Sequence, residues 1–368
     1  MSSVLVRSLL DSAAVASLGS AELNQLIPQG RVTDLLATLA LRLQQADKLQ
    51  QVPPHARRHL ESAIVVHRKQ RQDLAYEIKW LRRALAPTGQ PLVLLKGAAY
   101  LQAGLPWAQG RMLSDIDLLV PAHAIGAVEA ALNASGWQSG TLDAYNERYY
   151  RKWMHEIPPM AHPGRRSTLD LHHTILPPTA APRVDASLLL RDIQPVQEGL
   201  FTLAPADMVI HSATHLFHEG EFRHGLRDLW DLDRMLRDFA GQDPDFWRHL
   251  VPRAEQLDLL DSLFHGLNYS RQVFGTPVPS SVVSQAENWR RRLRKPLMDF
   301  LFTRALQPDQ PECRRPGTAL ALNALYVRSH YLRMPVHLLL PHLLRKGWMR
   351  HFTQPADGEP VAGKQGDK

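Results

Sequence analysis

The sequence predicts an α/β fold, or more fully an α+β fold: a mixed sheet with helical regions on both sides. Three observations lead there. Residues up to about 86 carry apolar side chains at helical spacing. Between residues 88 and 203, short apolar runs bounded by breakers alternate with helix-like stretches. From Pro205 onward the helical spacing returns. The expected division is residues 1–87 helical, 88–203 the α/β core, 204–353 helical and 354–368 a disordered, polar, Gly-containing tail.

Each element has its own signal. Arg31 to Leu49 places Val32, Leu35, Leu36, Leu39 and Leu43 on one stripe, and His55 to Leu85 does the same with Leu60, Ile64, Leu74, Ile78, Leu81 and Leu85. Ala86-Pro87-Thr88-Gly89 ends the second helix. Pro91 to Leu95 and Ile116 to Val120 read as buried strands, with helices expected over Ala98–Ala103 and Ala122–Ser135. Tyr149 to Met160 and Ser167 to His173 are further strand candidates, and Ile193 to Leu203 suits a hairpin around Glu198-Gly199. Four helical stretches then follow: Pro205–Phe239, Asp245–Phe274, Val283–Leu306 and Ala319–Tyr331.

The single cysteine, Cys313, excludes an intrachain disulfide and a Cys-based zinc site, and fits a reducing, cytoplasmic setting. Arg7 is the only early cation and Asp11 interrupts the apolar stretch, so no secretory signal is expected. The formal charge of +7 suits polyanionic partners: an NTP, RNA or an anionic membrane surface. Much of that excess is local, in Arg290–Lys295 and around Arg345, Lys346 and Arg350, where solvated basic faces account for it.

The sharpest chemical feature is Ser114-Asp115-Ile116-Asp117-Leu118. Alternation on a strand puts Asp115 and Asp117 on one face and sends Ile116 and Leu118 to the core. Two carboxylates that close repel unless a cation lies between them, and Mg²⁺ prefers such oxygen ligands together with phosphates. Thr168-Leu169-Asp170-Leu171-His172 has the same apolar–acid–apolar pattern, so Asp170 joins the pair if its strand lies beside the first. Three such acids can hold two metals about 4 Å apart, as in-line displacement at phosphorus requires. Upstream, Lys96-Gly97 sits at a strand-to-helix turn, where glycine lets backbone approach a phosphate and Lys96 adds a cation. Arg111 is a second candidate phosphate contact.

The run LLKGAAYLQAGLPWAQGRMLSDIDLLV, followed by LDLHH, resembles a nucleotidyltransferase family of the polymerase-β-like superfamily, with its Lys-Gly turn and Arg-x-x-Ser-Asp-Ile-Asp signature. The helical lead-in and the downstream RDLWDLDRML helix extend the resemblance over roughly residues 20 to 240. It implies a mixed sheet flanked by helices, two Mg²⁺ ions (with Mn²⁺ as a substitute), and transfer of an NMP from an NTP to an acceptor hydroxyl. Carried over, Asp115 and Asp117 bind metal, Asp170 completes the metal site and assists acceptor deprotonation, and Gly97 shapes the triphosphate pocket; Lys96, Arg111, Ser114 and His215 are the other residues expected at the nucleotide. One departure stands out. The superfamily usually follows the glycine with serine or a second glycine, and here Ala98 removes that hydroxyl.

His211, His215 and His218 share a helical face by their i, i+4, i+7 spacing. They are expected to line the cleft opposite the carboxylates, with His215 reaching base, ribose or phosphate, or else to make interhelix hydrogen bonds. Arg227 and Asp231 are expected to pair along their helix, and Asp228 can hold an arginine near the site. His172 shares Asp170's strand face and is expected at the cleft edge. Residues 331–352 combine leucines with Arg345, Lys346 and Trp348, which suits either peripheral membrane contact or covering the protein's own core. The acceptor is left open among a small molecule, a peptide, a protein and RNA. Two other readings compete: a non-catalytic nucleotide-binding scaffold, and a His-metal phosphohydrolase built around His215.

Overall fold

The computed structural model describes residues 3–140, 144–165, 167–218 and 220–335, and the account that follows concerns these. The chain begins with four helices: α1 (Val4–Leu10), α2 (Ser20–Val32), α3 (Leu36–Gln45) and α4 (Pro54–Leu85). Pro54 opens α4, where a missing N–H costs nothing. Leu60, Ile64, Leu74, Ile78, Leu81 and Leu85 form its buried stripe. The continuous helix expected from Arg31 to Leu49 is instead broken. Asp34 takes a left-handed φ of 56°, and the Leu35 N–H turns back to the Gly30 carbonyl at 2.9 Å. Gly30 abuts Leu36 so closely that a Cβ there would lie 2.9 Å from Leu36 Cδ1.

The central stretch alternates as β1 (Leu92–Leu94), α5 (Lys96–Gln102), β2 (Ile116–Leu119), α6 (Ile125–Ala134), β3 (Gln138–Ser139), α7 (Ala144–Trp153), β4 (Met160–Ala161), β5 (Thr168–His172), α8 (Ala186–Arg191), β6 (Gln194–Gln197) and β7 (Leu200–Thr202). The strands form one mixed sheet in the order β3-β4-β5-β2-β1-β7-β6. Two of its pairings, β2–β5 and β1–β7, are parallel, and the others are antiparallel. The strand expected over Tyr149–Met160 is therefore a correction. Its first five residues, through Trp153, belong to helix α7, Glu156 makes an isolated bridge, and only Met160 contributes to a strand. The aromatic residues there read as β-formers, but Tyr149 packs edge-on against Trp153, and Arg151 pairs with Glu147 at 2.8 Å, both at i, i+4 spacing. The hairpin around Glu198-Gly199 forms as expected, with Gly199 at φ 68°.

Beyond the sheet come α9 (Pro205–His218), α10 (Gly225–Gln242), α11 (Phe246–Gln256), α12 (Leu260–Phe274), α13 (Ser280–Ala286), α14 (Trp289–Ala305) and α15 (Thr318–Arg333). Three stretches read as single helices from Pro205 to Leu306 each divide in two; Asp258, at φ 58°, turns the chain between α11 and α12. Helix α9 packs against α10 and α12, and one continuous apolar core joins the lead-in helices, the sheet and these later helices. Among the described residues, no helix is long and apolar enough to cross a membrane. Residues 336–368, which include most of the segment read as a membrane or core contact and the whole expected tail, lie outside the described residues.

Candidate active site

Strands β2 and β5 lie side by side and parallel, with Asp117 directly opposite Asp170. Strand alternation puts both side chains on one face, with His172 two residues beyond Asp170, while Ile116, Leu118, Leu169 and Leu171 point to the fully buried side. Asp115 precedes β2 on the same face as Asp117. The three acids read from sequence are therefore brought together. Asp117 is 2% exposed, and its Oδ1 accepts from Lys96 Nζ at 2.8 Å and lies 2.9 Å from His172 Nε2. Burial alone would raise this carboxyl, but Lys96 and His172 hold it far below the usual carboxylate range. Asp170 behaves in the opposite way. Burial, then the charges of Glu156, Asp117 and Asp115, push it up to about 7.

The turn from β1 into α5 places Lys96 and Gly97. Lys96 itself adopts the left-handed conformation, at φ 48°, which costs a lysine about 1–2 kcal/mol and turns its side chain toward Asp117. Gly97 does not have a positive φ. A Cβ on it would come 2.6 Å from Leu113 Cδ2, so here glycine permits close packing of α5 on the segment before β2.

That segment is clamped from two sides. Helix α4 presents His67, Gln70 and Arg71 on one face. The Gly110 N–H donates to His67 Nε2 at 3.1 Å, and Gln70 makes two 3.1 Å bonds to the backbone of Leu113. Arg71 donates to Gln109 at 3.1 Å. Gly110, at φ 88°, lies against α3 so tightly that a Cβ would sit 2.4 Å from Thr38 backbone atoms. On the other side, Arg111 donates to Asp231 at 2.6 Å and reaches Asp228 at 3.4 Å, all three largely buried. The guanidinium expected at a phosphate is engaged with α10, and Arg111 also lines the cavity that holds Lys96 and Gly97. The Arg227–Asp231 pair expected along that helix is replaced: Arg227 binds Asp228 at 3.0 Å and Asp34 at 3.4 Å. Two guanidinium groups and two carboxylates from α10 and the pre-β2 segment balance in charge.

A cavity of about 420 Å³, within the range of small-molecule sites, opens between this framework and α9. Lys96, Gly97, Asp115, Asp117, Ser212, His215, Arg223 and Arg227 are among its walls. A second cavity, of about 530 Å³, lies on the other side of Ser114 and Asp115, against Tyr76, Glu77, Arg165 and Thr168. Asp115 lines both. A wider cleft of about 1000 Å³ around Pro121, His173 and Arg183 contains none of the three acids. The α9 histidines divide. His215 lines the smaller cavity. His211 is buried, which holds its imidazole well below its ordinary value, with Lys96 adding to the effect. His218 faces Ser262 on α12 at 3.1 Å. A shared metal-binding face on α9 is therefore not formed.

With this geometry in place, comparison with known proteins gives one match: a family model described as an uncharacterised nucleotidyltransferase covers residues 19–275. The chain belongs to that family. It is a nucleotidyltransferase, and the matched region runs from the lead-in helices through the sheet to the end of α12. No curated protein and no solved structure matched the chain.

The candidate site also contains groups the sequence did not single out. Glu156 and His155 precede β4 in the stretch read as a strand, and a backbone bridge between Glu156 and His172 fastens them to β5. His155 packs its ring 5.2 Å from that of His172, and burial, then His172 and Lys96, hold its imidazole well below the usual value. Among the described residues, His155, Glu156 and His172 form the His/Cys/Asp/Glu group with metal-ligand spacing. The adjacent His-Glu in sequence was the available signal; its proximity to β5 was not. Arg223, on the cavity wall, also went unread because it lies in the turn between α9 and α10.

Proposed function

We propose that this nucleotidyltransferase moves an NMP from an NTP to an acceptor hydroxyl with release of pyrophosphate, using two Mg²⁺ ions, or Mn²⁺ in their place, at Asp115, Asp117 and Asp170. The observation that carries this reading is the register pairing of Asp117 with Asp170 on adjacent parallel strands, with Asp115 on the same face. The donor set fits such ions. All three ligands are hard carboxylates; burial first, and then the like charge of Glu156, Asp117 and Asp115, push Asp170 up to about 7, and a divalent cation would neutralise that charge. Bound there, Mg²⁺ would supply charge neutralisation for the triphosphate and a lowered pKa for the acceptor hydroxyl.

The chain's own residues account for the remaining requirements. Lys96, Arg111, Arg223 and Arg227 lie among the walls of the 420 Å³ cavity, where they can face a triphosphate once cations occupy the carboxylates, and Gly97, Ser114 and His215 line it as well. Because Asp115 lines both cavities, an NTP in one and an acceptor in the other meet at the carboxylates. The acceptor oxygen bonds to the α-phosphorus as the bond to the bridging oxygen of the β-phosphate breaks, and that electron pair departs with pyrophosphate. Asp170, opposite Asp117, would take the acceptor's proton.

The test is transfer of an α-phosphate radiolabel from each NTP in the presence of Mg²⁺, with cell extract and purified small molecules, peptides, proteins and RNA as acceptors. Asp115→Ala and Asp117→Ala should each lower transfer on the order of 10³-fold or more. Equal labelling by wild type and both variants would instead favour a nucleotide-binding scaffold that retains the fold.

A further inference from the structure

We propose that His155, Glu156 and His172 bind a divalent transition-metal ion of the zinc type, at a site separate from the carboxylate cations and joined to them through His172. Four observations converge on it. One potential ligand atom from each residue lies within 4.8 Å of the others. Glu156 Oε2 stands 3.5 Å from His172 Nδ1 and 3.7 Å from His155 Nε2. Those separations are long for hydrogen bonds. They are close to the edge of a tetrahedron whose centre lies about 2.0–2.1 Å from each ligand, roughly 3.3 Å. His172 is 2% exposed, and its Nδ1 has no hydrogen-bond partner although it is buried. A buried imidazole nitrogen normally finds a partner, and a metal ion supplies one.

The other nitrogen of His172 gives the independent support. Its Nε2 lies 2.9 Å from Asp117 Oδ1. An imidazole that ligates through Nδ1 carries its proton on Nε2 and donates it to a carboxylate, the carboxylate–histidine–metal arrangement of protein metal sites. Two imidazoles with one carboxylate select a borderline divalent ion over Mg²⁺, which prefers an all-oxygen set. Three protein ligands also leave a coordination position open. Through His172 the ion would fix the orientation of Asp117, making His155 and Glu156 positioning residues for the carboxylate site. The assignment does not depend on the nucleotidyl-transfer mechanism proposed above.

The experiment uses untagged full-length protein stripped with chelator and titrated with Co²⁺. With excess Mg²⁺ present to occupy the carboxylates, the expected result is one tightly bound Co²⁺ per chain and visible d–d absorption of a four- or five-coordinate ion. Elemental analysis of protein reloaded with Zn²⁺ should give the same stoichiometry. His155→Ala and Glu156→Gln should each weaken Co²⁺ binding on the order of 100-fold, whereas Asp115→Asn should leave the spectrum and stoichiometry in place. Circular dichroism checks that each variant is folded, and Glu156→Gln, nearly isosteric, carries the test if His155→Ala is not. Co²⁺ binding unaffected by either ligand variant, or lost in Asp115→Asn alone, would overturn the site and place the ion at the carboxylates. Absence of stoichiometric Co²⁺ and Zn²⁺ from folded wild type would also overturn it. Loss of nucleotidyl transfer in Asp115→Asn with the Co²⁺ spectrum intact would leave both proposals standing.

Discussion

Replacing Arg111 with methionine should destabilise the fold by about 3–5 kcal/mol, the cost of leaving a buried charge without its partner. The geometry supports a value in that range. The guanidinium lies 2.6 Å from Asp231 and 3.4 Å from Asp228, and its side chain is 8% exposed against 3% for Asp231. Removing it leaves two buried carboxylates with Arg227 alone, which binds Asp228 at 3.0 Å. Each contact near 4 Å at an effective dielectric of 20 is worth about 4 kcal/mol before desolvation is counted, so loss of one partner falls in the same range. Methionine keeps most of the apolar stem, which confines the change to the charge. Burial already pushes the Asp231 carboxyl up, with Asp228 adding to it, so Asp231 should protonate more readily once Arg111 is gone. Urea denaturation at neutral pH measures the loss. The double variant Arg111→Met/Asp231→Leu should recover most of it, because an apolar pair can replace a buried ion pair at little cost. A loss below about 1 kcal/mol in Arg111→Met, together with collapse of NTP binding, would refute the reasoning and return Arg111 to the phosphate role its sequence context suggests.

Three further outcomes follow from the same framework. His67 is 1% exposed and accepts from the Gly110 N–H, so it must stay neutral; burial, then Arg71, lower its imidazole to about 4. Below pH 6.5 the unfolded chain binds this proton and the folded chain does not, so stability should fall as pH drops from 6.5 toward 4, by about 2 kcal/mol at pH 5. Urea midpoints at pH 7 and 5 should show that loss in wild type, and His67→Gln should remove this contribution. Arg253 donates to Asp207, which is 1% exposed, at 2.7 and 2.8 Å, so Arg253→Ala should cost about 3–5 kcal/mol, read by the same denaturation assay. Lys96→Met should lower kcat/KM for nucleotidyl transfer on the order of 10²–10³-fold while the protein stays folded; unchanged kinetics would remove Lys96 from the site.

Local chemistry was legible at the acids. Asp115 and Asp117 share a face because strand side chains alternate, whatever the rest of the chain does. The Lys-Gly turn was legible as a turn, but its strain sits on Lys96 rather than on Gly97, and its glycine serves packing against Leu113. Helix α7 was misread because aromatic residues suit strands as intrinsic formers, whereas here they pair at i, i+4 spacing. Asp34 and Asp258 divide stretches that periodicity alone would join, since left-handed turns at aspartate leave little trace in an apolar pattern.

By itself the sequence determined the class of fold, the position of the acid-bearing strand and the resemblance that the family match bears out, because these depend on periodicity and on residues close in the chain. Tertiary structure alone decided the rest. It set Asp170 opposite Asp117, turned Arg111 to Asp231, sent His218 to Ser262, and brought Glu156 to His172. Each of those depends on which strand or helix lies next to which. That adjacency follows from burying one shared core, a constraint distributed over the whole chain and written in no single segment of it.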